Sequence, residues 1–242
     1  MLTRGKAQSA ELPRRFYREA AAGPVDGGHG VLLDGRPVRT PQGLRMVLPT
    51  AALGALVAAE WESQGERIAI GDMPATRLAF TTLDAAANAR AALADDVARW
   101  AGSDALCYFA DRPDALVERE LLHWGPVIDW AQTALELQLV RVTGVVHQPQ
   151  PPETIAKVRA LAAALDDFRL TGLAMAASLF GSAILALALE RGELTGEAAF
   201  ALSRLDEAFQ EELWGVDAEA AERTARMGTE ALMLERWFRA LD

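Results

Sequence analysis

Apolar and polar positions follow two different rhythms along the chain. From Arg15 to Pro49, short apolar runs alternate with the turn signals Gly23-Pro24, Asp26-Gly27-Gly28, Asp34-Gly35 and Pro41-Gln42-Gly43. Val31-Leu32-Leu33, the pair Asp34-Gly35 and Arg36-Pro37-Val38 predict a β-hairpin, because an Asp-Gly pair suits the backbone angles of a tight two-residue turn. Thr50 stands where an N-cap belongs, and a helix is expected from it to about Gln64, with Gly65 as its stop. From residue 85 onward the apolar spacing becomes helical, predicting helices at 85–101, 113–121, 124–139, 153–166, 168–190, 196–213 and 218–240. Breaks are expected at Gly102-Ser103-Asp104, Gly125-Pro126, the proline run 148–152, Gly192 and Gly215. The pattern predicts an α+β protein: a small mixed α/β domain with antiparallel strands at 1–83, then a larger all-helical domain at 84–242. The proline run reads as a rigid loop within the helical region, and no internal repeat or long heptad is present.

Leu170 to Leu189 is a run of twenty residues without a charge, about the length that spans a bilayer. Its alanines, glycines and hydroxylic residues make membrane insertion marginal, and its flanks show no positive asymmetry. The expectation is a buried central helix with close neighbours, and no stable membrane insertion.

Charge sharpens the division. The chain has 242 residues and a net charge of −10. The first 83 residues carry 10 basic and 8 acidic side chains, a net of +2; the remainder carries 14 against 26, a net of −12. An acidic protein lacks the basic patches that nucleic acid or anionic lipid would need. Cys107 is the single cysteine, so no intrachain disulfide is expected, and a reducing compartment such as the cytoplasm suits it. Met1 to Arg15 lacks the apolar core of a signal peptide, and a processed organellar chain is the alternative.

Candidate catalytic chemistry is sparse. His29, His123 and His147 lie far apart with no metal-ligand spacing, so no metal and no cofactor is expected. Gly27-Gly28-His29-Gly30 lacks phosphate-loop spacing and reads as a β-turn. Ser182 sits in the apolar run rather than on a nucleophile elbow. Asp95-Asp96 and Asp166-Asp167 are adjacent on helices, point about 100° apart, and read as solvated faces.

The segment from Leu202 to Gly215, LSRLDEAFQEELWG, is different. At 100° per residue, Leu202, Leu205, Phe209 and Leu213 form a core stripe. The opposite face collects Phe200, Ser203, Glu207, Gln210, Glu211 and Trp214. Aromatics among carboxylates have the composition of a protein-binding patch, unless helix 218–240 covers Phe200 and Trp214. From Glu193 to Glu222 there are nine acids against Arg204 alone, either a solvated surface or a field that steers a basic partner.

Leu-Ser-Arg-Leu-Asp-Glu at 202–207, with Gln210 and Trp214-Gly215, resembles the signature of the assembly chaperones that serve the α subunit of F-type ATP synthase. Arg15-Phe16-Tyr17, Leu33-Asp34-Gly35-Arg36-Pro37-Val38, Glu60-Trp61, Met73-Pro74-Ala75-Thr76-Arg77-Leu78, Ala101-Gly102-Ser103-Asp104 and Gly181-Ser182 extend the resemblance in order along the chain. Trp124-Gly125-Pro126 departs from the family's Trp-Asp-Pro. The resemblance implies a non-enzymatic protein that binds the unassembled α subunit and hands it on as the catalytic head forms. It also implies a mixed α/β part followed by a helical part, and a functional acidic residue matched to Glu207. Gln210, Glu211, Trp214 and Phe200 join Glu207 as candidate contacts from the helical wheel, and Trp61 is a family position that is either structural or a contact. The implied location is a bacterial cytoplasm, or the mitochondrial matrix for a processed chain. The alternative function is a small-molecule enzyme using the groove between the two domains.

Overall fold

The computed structural model describes residues 12–144 and 146–242, with the backbone alone at 86–88; most of the amino-terminal stretch considered above for a leader lies outside them. Strand β1 (Ala20–Val25) turns at Asp26-Gly27 into β2 (Gly28–Leu33), and β2 turns at Asp34-Gly35 into β3 (Arg36–Pro37). Asp34 and Gly35 both adopt left-handed backbone angles, φ 47° and 79°, which is why this pair makes the tight turn. The result is a three-stranded antiparallel sheet in the order β1-β2-β3, with Val31 and Leu33 turned into the core.

Helix α1 (Ala51–Glu62) covers the sheet. Thr50 caps it by accepting the amide of Leu53, and the Thr50 hydroxyl donates in turn to the carbonyl of Ala240 near the end of the chain. Helix α2 (Pro74–Gly102) runs unbroken through residue 84, so the change in composition there falls inside a helix rather than at a break. Its first turn is fixed by Glu60, whose carboxylate accepts from the amides of Ala75 and Thr76 and from the Thr76 hydroxyl.

Helix α3 (Asp114–Ala134) continues through Gly125-Pro126, where a break was expected. Trp124, Val127 and Ile128 are buried on both sides of the proline, and their packing carries the helix through one lost backbone hydrogen bond. Strands β4 (Tyr108–Phe109) and β5 (Val142–Thr143) pair in parallel. The proline run leads into α4 (Pro152–Ala163) and is pinned by Gln150, whose side chain bonds both the amide and the carbonyl of Val140.

The apolar run forms two helices, α5 (Asp167–Phe180) and α6 (Ala183–Glu190), where one was expected. Gly181 ends α5 in the left-handed conformation, φ 63°, and Ser182 caps α6 by accepting the amide of Leu185. Buried Asp104 completes that start: its carboxylate accepts from the amides of Leu106 and Ile184. Ala183 to Leu189 are all buried, as a central helix requires, and among the described residues no helix is long and apolar enough to cross a membrane.

Two further helices, α7 (Gly196–Ser203) and α8 (Leu205–Trp214), replace the single one expected at 196–213. The last, α9 (Ala218–Ala240), packs against α7, α5 and α1, with Trp237 fully buried and its indole N–H donating to the carbonyl of Phe168. A methyl group at Gly196 would lie 2.4 Å from the Ala231 carbonyl oxygen, so only glycine allows α7 to approach α9 this closely. The mixed architecture predicted by the pattern, a small antiparallel sheet followed by a mostly helical remainder, is the one observed.

Candidate partner-docking face

The 202–214 segment bends at Arg204, φ −120° and ψ 20°, and its guanidinium bridges the bend by pairing with Glu211 at 2.7 Å. One side of α8 is fastened to α3. Leu205 and Phe209 are buried there, the Trp124 indole donates to the carbonyl of Leu202, and Arg119 holds Glu212 with two hydrogen bonds of 2.7 and 2.9 Å. The Arg119 guanidinium also lies 5.0 Å from the centre of the Phe209 ring. Arg119 draws the Glu212 carboxyl below its ordinary range through this hydrogen bonding.

Behind this contact two carboxyl groups meet. Glu120 is fully buried and accepts from the amide of Ala110, while its other oxygen and Oδ1 of Asp206 are buried without a donor among the described residues. Burial, and then the facing Asp206, push the Glu120 carboxyl up to about 7.

The outward side of α8 carries Glu207, Gln210 and Trp214 within one narrow sector, all exposed, with Trp214 84% accessible. Neither Glu207 nor Gln210 has a side-chain partner among the described residues. Leu213, expected in the core stripe, is instead 61% exposed, because the stripe reaches the last turn of α8 with no helix left to cover it. Val216, just beyond the helix, is also exposed, as are Leu121 and Leu122 on α3. Of the remaining candidates, Glu211 is half-buried in its ion pair with Arg204, and Phe200 is half-buried under α9, where its ring closes on Gly228. The structure thus brings Glu207, Gln210 and Trp214 together at the surface and turns Phe200 and Glu211 inward. The exposed contribution of Leu213 and Val216 was missed; its signal was a stripe position one residue from the helix end followed by Gly215.

The family model described as ATP12 chaperone protein matches residues 14–132. The solved Atp12 of Paracoccus denitrificans is 40% identical, superposes with a TM-score of 0.87, and aligns over 95% of this chain and 99% of its own. The chain belongs to the ATP12 chaperone family. Atu1473 protein of Agrobacterium tumefaciens gives a TM-score of 0.89 at 40% identity over 96% of this chain and 87% of that one. Protein atp12, mitochondrial, of Schizosaccharomyces pombe is 24% identical over 230 residues, 88% of this chain and 79% of that protein. Helix α8 of this ATP12 family member lies outside the part matched by the family model.

The other candidate residues of this ATP12 family member take structural places. Asp95 pairs with Arg159, Asp96 with Arg99 and Asp167 with Arg90, and Asp166 caps α5. The Tyr108 hydroxyl and His147 Nδ1 are hydrogen-bonded at 2.8 Å, and His123 is exposed on α3. Burial, and then Asp104, push the Cys107 thiol up to about 12, so it packs as an inert apolar group. Between α1 and α9 a cavity of about 300 Å³ holds Glu60, Asp72 and Arg236, the place an enzyme reading would use. The Glu60 carboxylate there is already committed to capping α2.

Proposed function

We propose that this protein is an assembly chaperone for F-type ATP synthase, binding the unassembled α subunit through the exposed face of α8. The observation that carries the reading is the exposure of Trp214, Leu213 and Val216 together with Glu207 and Gln210 at the surface of α8, the helix that opens with the Leu205-Asp206-Glu207 end of the sequence that resembles the family signature. Membership of the ATP12 chaperone family supports it. An unassembled subunit exposes apolar surface that aggregates unless covered. A tryptophan in an apolar patch supplies desolvated contact area, and acidic rim charges speed encounter with a basic surface without making release slow. Release then follows from competition by the β subunit for the same α surface.

The experiment is capture of the α subunit from cells that make it without β. The wild-type chain is expected to retain α, and Glu207→Lys to lose most of that capture while keeping its thermal midpoint, because Glu207 is exposed and has no side-chain partner among the described residues. Capture of α at wild-type levels by a folded Glu207→Lys chain would overturn the assignment of α8.

A further inference from the structure

A second surface lies away from α8, in the sheet layer. Phe16, Tyr17, Trp61, Val38, Arg36 and Arg39 line a groove of about 490 Å³, within the size range of ligand sites. Three rings form a ladder along it: Phe16 meets Tyr17 edge-on at 5.4 Å, and Tyr17 tilts against Trp61 at 5.9 Å. The inner two are fixed, since the Tyr17 hydroxyl donates to the carbonyl of Trp61 at 2.6 Å. The outermost is not covered: Phe16 is 74% exposed, an unusual state for a phenylalanine held in a defined ring contact.

The groove's charges are uneven. Its one carboxylate, Asp34, already accepts from the amides of Arg18 and Glu19, whose hydrogen bonds hold it below the ordinary carboxylate range. Arg15 beside it is paired with Glu62 and stacked on Tyr17. Arg36 and Arg39 are exposed and have no carboxylate partner among the described residues; Arg39 donates only to the carbonyl of Gly43. The indole N–H of Trp61 is buried with no acceptor among the described residues, a donor that would ordinarily be satisfied. Aromatic surface and two exposed guanidinium groups without a carboxylate partner together suit an apolar side chain beside a carboxylate, which is the chemistry of an acidic peptide segment.

We propose that this groove is a second client-binding site, taking a segment of the α subunit in which a carboxylate stands beside an apolar side chain. The apolar side chain packs on Phe16 and Val38, and the carboxylate lies between Arg36 and Arg39. The client is then held at two places of opposite polarity: a basic groove in the sheet layer and the acidic face of α8. The proposal rests on the α-subunit reading above, and the experiment separates the two.

Affinity for purified unassembled α subunit is measured for the wild-type chain, Phe16→Ala, the double variant Arg36→Glu/Arg39→Glu, and Glu207→Lys, with circular dichroism and light scattering on each. Both groove variants change exposed side chains and are expected to fold, to bind α at least about tenfold more weakly, and in the charge-reversed case to flatten the dependence of binding on salt. If wild type and Phe16→Ala bind α equally, and charge reversal has no effect, the groove is not a client site while the chaperone reading stands. If the groove variants instead change the protein's own oligomeric state with α binding intact, the occupant is a second copy and the proposal is overturned. If the wild-type chain does not bind α at all, the α-subunit reading fails first and this proposal fails with it.

Discussion

Replacing Trp214 with alanine separates docking from folding. The side chain is 84% exposed at the last position of α8 and contributes to no ring pair or hydrogen bond among the described residues, so its loss removes almost no internal contact. Aromatic side chains bury roughly 150–250 Å² when a partner covers them. At about 25 cal/mol per Å² this is worth about 4–6 kcal/mol as a ceiling. Immobilising the ring and desolvating the neighbouring carboxylates lower it to about 2–4 kcal/mol, the usual range of an interface anchor. Trp214→Ala should therefore weaken α-subunit binding about 30- to 1,000-fold. Its thermal midpoint should stay within about 2 °C of wild type, the effect of less than about 1 kcal/mol in a chain of this size. Titration calorimetry or interferometry with purified α, beside calorimetric unfolding of the variant, measures both quantities. Wild-type affinity in a folded Trp214→Ala chain would refute the claim that the apolar end of α8 is the contact, whatever Glu207→Lys does.

Three further outcomes follow from the core. The Asp104 carboxyl is pushed up to about 6, chiefly by burial, so the folded state favours its proton; its contribution to stability is complete below the ordinary carboxylate range and is lost as pH rises through about 6. Wild type should lose about 2–3 kcal/mol relative to Asp104→Asn between pH 4 and 8; a difference in thermal midpoint that stays flat over that range would contradict the assignment. Gly196→Ala places a methyl group against the Ala231 carbonyl and should cost about 2 kcal/mol, lowering the midpoint by about 4–8 °C in calorimetry. Arg119→Ala removes the paired bonds to Glu212 and the cation over Phe209, and hydrogen exchange should report faster opening of α8 with the other helices unchanged.

Short-range signals in the chain translated directly into structure. Asp34-Gly35 makes the hairpin turn, Thr50 caps α1, and the last helix begins and ends at the expected residues. Signals that depend on distant packing did not. Leu170–Leu189 is apolar at nearly every position, so no periodicity marked the break, although Gly181-Ser182 contains both a left-handed stop and a hydroxyl cap. Gly125-Pro126 carried the opposite error: a local breaker was overruled by burial of Trp124 and Ile128 on either side. At the candidate site the wheel identified the outward sector of Glu207, Gln210 and Trp214 from spacing alone. It could not show that α9 would cover Phe200, that Glu120 would meet Asp206, or that α3 would leave Leu213 uncovered, because each depends on a helix far away in the chain.

The contact between the Thr50 hydroxyl and the Ala240 carbonyl has a consequence for the order in which the protein is made. The sheet and α1 emerge first from a ribosome, yet α1 is covered by a helix whose residues emerge last. At translation rates of about 5–20 residues per second, the acceptor for that hydroxyl arrives about 10–40 seconds after the donor. During that interval the face of α1 destined for α9 is uncovered apolar surface. A member of a chaperone family must itself wait, with that face exposed, for its own last turn.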